Sequence, residues 1–236
     1  MSDWRPKRFW TSATPAACEG GYTVTLDSRS VKTPAKAALI VPTMKMAQAI
    51  AAEWDAQTGL VDPRTMPVTR SANAAIDKVH PQRAEVVALL SEYGDSDLLC
   101  YRATGPDTLV ALQAKHWDPV LDWAAQELDA PLVVGQGVMH VTQDAGCLAR
   151  LRARLDAFDD FALAATHDLI SLSGSLVLAL AITRGNLTAA RAWEMSRLDE
   201  DWQITQWGED EEAAAAAAVK RDAFLHAERF FHLARL

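Results

Sequence analysis

Five polar side chains in this sequence could be gathered into a reacting site: Asp95, Asp97, Tyr101 and Arg102, close together along the chain, and Glu200 much further on. Carboxylates beside a phenol and a guanidinium are groups whose pKa values an enzyme can tune for acid–base work. An enzyme of unknown class with a site around these five residues is therefore one reading. Little else supports catalysis. The motifs G-x-x-x-x-G-K-[ST], G-x-G-x-x-G, H-E-x-x-H and G-x-S-x-G are all missing, so no segment is marked as a phosphate cradle, a zinc site or a nucleophile elbow. The histidines (His80, His116, His140, His167, His226, His232) are scattered, and no two share the i, i+4 spacing of a helical metal site. Neither a metal nor a cofactor is expected.

The segment from Trp193 to Gly208 has a different chemistry, suited to recognition. Read as one helix, it places Met195, Leu198 and Trp202 at i, i+3, i+7 as a core-facing stripe. Trp193, Glu200 and Trp207, spaced by sevens, then line a nearly opposite face with Ile204. A second apolar stripe requires a partner, and tryptophan is a favoured interface anchor. The plainer reading is a helix buried on two sides, with Glu200 tied to Arg197 three residues back. From Asp199 to Glu212 there are seven carboxylates (Asp199, Glu200, Asp201, Glu209, Asp210, Glu211, Glu212) and no lysine or arginine. Such a run is either a solvated face or a surface that steers a basic partner.

The strand signals lie in about the first forty residues: Arg8 to Thr11, Tyr22 to Leu26, Val31 to Thr33 and Ala38 to Val41. Asp27 to Ser30 reads as a hairpin turn. Thr43 then reads as the N-cap of a helix whose apolar positions are Ala47, Ile50, Ala51 and Trp54, ending at Gly59. A second helix carries Val68, Ala72, Ala75, Ile76 and Val79 and stops at Pro81. Beyond it the stripes are helical, apart from an ambiguous run at Pro131 to Val141. Pro119 marks a kink or a new helix capped by Asp118, Phe161 to Ile182 reads as one apolar stretch, and the last helix spans about Glu209 to Leu233.

With 23 basic against 31 acidic side chains, the net charge of -8 disfavours nucleic acid and anionic lipid as partners. The most apolar run, Leu176 to Ile182, is far shorter than the about 20 residues a membrane span requires and reads as a buried helix. Cys18, Cys100 and Cys147 lie far apart, outside any C-x-x-C spacing, which suits a reducing compartment. The N-terminus has neither the apolar run of a signal peptide nor the character of a mitochondrial presequence, so a bacterial cytoplasmic protein is expected.

Taken in order, Lys7 to Trp10, Leu26 to Pro34, Ala49 to Gln57, Asp95 to Arg102, Gln113 to Pro119 and Leu198 to Gly208 resemble the ATP-synthase alpha-subunit assembly chaperone family, known from mitochondria and some bacteria. Ser28 departs from it, standing where the family's hairpin usually has glycine. The resemblance implies an α+β chain: a small β-containing N-terminal domain over residues 1–80, then a helical, orthogonal-bundle-like C-terminal domain over 81–236. It implies no catalysis. The implied partner is the unassembled alpha subunit of the F-type ATP synthase catalytic head, kept from aggregating until the beta subunit replaces the chaperone. The family motif centres on Glu200, and the expected client-binding residues are Glu200, Gln203, Trp207, Trp193 and Asp210. The implied setting is the bacterial cytoplasm, and the mitochondrial matrix in eukaryotic relatives. A permanent subunit of the finished synthase is a third reading.

Overall fold

A computed structural model describes residues 7–235; residues 1–6, part of the N-terminal segment read above for leader signals, lie outside the described residues. The fold is α+β, a small strand region followed by a mostly helical one. Strands β1 (Ala13–Cys18), β2 (Gly21–Leu26) and β3 (Arg29–Ser30) form an antiparallel sheet in the order β1-β2-β3, in register from Ala13 opposite Leu26 to Cys18 opposite Gly21. The first strand is therefore not at Arg8–Thr11. The Arg8 side chain holds that stretch as a loop, donating to the carbonyls of Trp10, Thr11, Asp55 and Gln57. The alanine-rich segment that does form β1 contains Pro15, whose missing N–H is tolerated on an edge strand.

The β2–β3 turn centres on Asp27, which takes the positive φ of +53°. Its carboxylate accepts the N–H groups of Thr11 and Ser12, each at 3.0 Å. Ser28 keeps a negative φ, so serine in place of glycine is not strained there. The expected strands at Val31–Thr33 and Ala38–Val41 reduce to isolated pairings of Lys32 with Ala38 and Tyr22 with Val41.

Helix α1 (Met44–Asp55) starts as expected, with the Thr43 hydroxyl accepting from the Met46 N–H. It buries Met46, Ala47, Ile50 and Ala51. Helix α2 (Pro67–Ala74) is capped from a distance, since the Glu53 carboxylate accepts the N–H groups of Val68 and Thr69 at 2.7 and 2.8 Å. The chain does not stop at Pro81. It passes through a π turn (Ala75–Val79) and a 3-10 turn (His80–Gln82) into α3 (Arg83–Glu92). Pro81 sits in the first turn of the 3-10 piece, where a missing N–H costs nothing.

Contacts cluster into two compact units. The first comprises the described residues up to Arg83, Asp159–Ala165 and the chain end from Arg229; the second comprises Ala84–Phe158 and Thr166–Glu228. In the second, β4 (Tyr101–Arg102) pairs in parallel with β5 (Gly135–Gln136), inside the run whose assignment was ambiguous. Helix α4 (Asp107–Glu127) continues through Pro119 without a new cap; Lys115 and Pro119 are both exposed, so water can take the unpaired carbonyl. Asp118 instead pairs with Arg102 at 2.7 Å.

The remaining helices are α5 (Ala145–Asp156), α6 (Asp160–Ser173), α7 (Leu176–Thr183), α8 (Ala189–Ser196), α9 (Leu198–Trp207) and α10 (Glu211–Leu233). Phe161 to Ile182 is thus two helices, because Gly174 takes a φ of +73° that ends α6 and the Ser175 hydroxyl caps α7 by accepting from Leu178. All seven residues from Leu176 to Ile182 are buried. Among the described residues no helix is long and apolar enough to cross a membrane.

Candidate functional site

The tryptophan and carboxylate segment is two helices, not one. Helix α8 ends at Ser196, Arg197 leaves helical geometry (φ -105°, ψ 11°), and α9 begins at Leu198. The break separates Trp193 from the face it was expected to share with Glu200 and Trp207. Trp193 is a core residue, 6% exposed, its ring 5.5 Å from that of Phe224 and covered by the Arg197 guanidinium. Arg197 pairs with Asp201 at 3.5 Å, one turn along α9, and not with Glu200.

Helix α4 fixes the start of α9. The buried Gln113 amide accepts the Ala103 N–H at 2.8 Å and donates to the Asp199 carboxylate at 2.7 Å. The Trp117 indole N–H donates to the Met195 carbonyl at 2.9 Å, and Leu198 is buried. With Asp199 and Leu198 directed inward, Glu200, Gln203 and Trp207 fall at i, i+3, i+7 on one outward face, all exposed. Glu200 has no ion-pair partner among the described residues. Trp207 is 76% exposed, its ring edge 6.2 Å from Trp202.

Gly208 then turns the chain with φ +90°, a conformation that suits glycine. Asp210 begins α10 as its cap, its carboxylate accepting the Ala213 N–H at 2.7 Å. Glu211 and Glu212 in the first turn suit the helix dipole. The structure therefore brings together Glu200, Gln203 and Trp207, places Asp210 across the turn from Trp207, and removes Trp193. Sequence periodicity missed the residues that aim this face, Gln113 and Trp117. Both lie in the Gln113 to Pro119 segment that carries part of the family resemblance, but spacing alone gave them no role.

The five residues of the enzyme reading do not gather into one site. Asp95 and Tyr101 meet on His140, at 3.3 Å each. Asp97 is fully buried; it accepts from the Ser175 hydroxyl at 2.7 Å and from the N–H groups of Val177 and Leu99 at 2.9 and 3.1 Å. Burial, opposed by these donors, raises its pKa to about 6. Arg102 donates to the Leu99 carbonyl, pairs with Asp118 and lies over the Trp117 ring. Asp97 and Arg102 brace the turn between α3 and α4, and no contact joins either to Glu200. Cys100 is buried among them, and burial pushes its thiol up to about 12, away from nucleophilic use.

The family of ATP12 chaperone proteins matches residues 7–125 of this chain. The mitochondrial protein atp12 of Schizosaccharomyces pombe is 26% identical over 228 residues, covering 88% of this chain and 75% of its own. Among solved structures, Atp12 from Paracoccus denitrificans is similar with a TM-score of 0.95 and 50% identity, covering 97% of this chain and 98% of its own. A protein from Agrobacterium tumefaciens gives a TM-score of 0.90 and 44% identity, covering 96% and 85%. The family match ends within α4, so the likeness over α8 to α10 rests on these longer alignments.

Proposed function

Because this chain belongs to the ATP12 chaperone family, we propose that it binds the unassembled alpha subunit of the F-type ATP synthase catalytic head and keeps it from aggregating until the beta subunit replaces it. The observation that carries the client surface is the outward face of α9, where Glu200, Gln203 and the 76% exposed Trp207 stand together beside the Asp210 cap of α10. An exposed tryptophan flanked by carboxylates suits a partner that offers an apolar patch ringed by basic groups. The acidic run from Asp199 to Glu212 would speed the encounter and disfavour acidic competitors. The protein acts without catalysis, in the bacterial cytoplasm, with no nucleic acid and no membrane insertion. Release is competitive, since the beta subunit can form the larger or better-matched interface.

The test is mass spectrometry of what co-purifies with the tagged protein. Free alpha subunit should be recovered, without the assembled head. Recovery with the finished synthase would favour a permanent subunit, and recovery of an unrelated partner would overturn the reading.

A further inference from the structure

Four exposed large apolar side chains, Val133, Val134, Val138 and Met139, lie in one loop, and the last two are 95% and 77% exposed. Between Asp129 and Asp144 the sequence has no Asp, Glu, Lys or Arg, in a chain of which 23% of residues are charged. The loop is nevertheless held firmly at its neck. The buried Gln143 amide accepts the Val133 N–H at 2.7 Å and donates to the Val133 carbonyl at 2.9 Å, closing the chain into a compact loop whose ends meet. The Asp95 carboxylate takes the Gln143 N–H at 3.1 Å and also meets His140, while β5, inside the loop, pairs with β4. A Cβ at Gly135 would collide with the Val141 side chain, so glycine is what lets the two sides close. The tip at Val138 and Met139 is thus uncharged, apolar and fixed in place while facing solvent, the combination that marks an interaction surface.

The same frame holds α9. The Arg102 carbonyl accepts the Gly137 N–H at 2.8 Å, and the next residue, Ala103, donates to Gln113, whose amide also donates to Asp199 at the start of α9. Loop and α9 therefore neighbour each other within one compact unit, joined through two consecutive residues and one side chain.

We propose that the Val138–Met139 tip is a second client contact, which inserts into an apolar cleft on the face of the alpha subunit that later meets beta. The proposal rests on the functional reading above and adds an apolar contact to the charged one on α9. Interfaces between permanent partners are more apolar than other surfaces, so a subunit awaiting its partner offers such clefts. Valine supplies a stiff knob and methionine an adaptable one. With no charge at the tip, none has to be desolvated in the cleft, and the clasped neck lowers the entropy lost on binding.

The test uses the full chain and purified free alpha subunit. Val138→Ser combined with Met139→Gln removes the apolar tip at exposed positions, so melting should be unchanged. Binding should weaken by about tenfold or more, at low and at high salt alike. That salt pattern separates the tip from α9, since the loss from Glu200→Gln fades as salt rises. Leu89→Ser, which removes an exposed leucine from α3, should bind like the parent. In Met139→benzoylphenylalanine, illumination should cross-link the tip to alpha, which keeps the test decisive if the double variant melts early. A parent that does not bind alpha brings down the functional reading, and the tip contact with it. Binding by the folded double variant equal to the parent's overturns the tip contact alone. So does an equal loss in Leu89→Ser, or a cross-link that forms only between copies of this chain.

Discussion

The Asp97 carboxylate has no contact with water, and every group aimed at it is a donor: the Ser175 hydroxyl and the N–H groups of Leu99 and Val177. Asp97→Asn exchanges an acceptor oxygen for an NH2 group facing those donors, and should cost about 2–4 kcal/mol. The pH dependence follows from the direction of the shift. The folded value of about 6 lies above the unfolded value of about 3.9, so the native state binds the proton more tightly. The corresponding stability is fully present below pH about 4 and is lost as the pH rises through 6. Urea melts should show the gap between parent and variant wider at pH 4.5 than at pH 7; a gap that widens with pH contradicts this account. Glu200 is the opposite case, exposed and without an ion-pair partner among the described residues. Glu200→Gln should leave melting unchanged within about 0.5 kcal/mol, as for other surface substitutions, yet weaken capture of the alpha subunit most at low salt. Capture equal to that of the parent across a salt series would remove Glu200 from the client surface.

Helix α1 shows how an element of the first unit is held. Trp54, on its last turn, is half-buried, its ring 5.2 Å from that of Trp10, which the Arg8 guanidinium covers. Trp54→Ala should lower stability by about 3 kcal/mol, the low end for a buried tryptophan because one side is open. Melting measurements on the variant, with capture of alpha checked below its transition, separate packing from binding; unchanged melting with lost capture would make Trp54 an interface residue. The helix, its Thr43 cap and the strand at Tyr22–Leu26 were legible because period, cap and turn residues agree. β1 was not, because alanine and Pro15 carry no strand signal and an edge position hides the missing donor. The break at the start of α9 was equally hidden, whereas Gly208 marked its end. Arg197 separates α8 from α9 with neither glycine nor proline, so the spacing by sevens joined Trp193 to a face it does not share. Of the residues read as one face, Glu200 and Trp207 share it because both lie within α9.

At the scale of the whole chain, the net charge of -8 and the acidic α9–α10 turn favour a basic partner and rapid, salt-sensitive encounter. In the proposed function, departure of the client is set by competition with the beta subunit. Chaperone action by this chain would show itself in the solubility and exchange of the alpha subunit. Its most direct test is co-expression of the alpha subunit with and without this chain, reading the soluble fraction of alpha, followed by addition of purified beta subunit. Soluble alpha should rise several-fold in a complex with the chain, and beta should displace the chain without added ATP. An unchanged soluble fraction of alpha, or a complex that beta cannot dissociate, would contradict the proposed function.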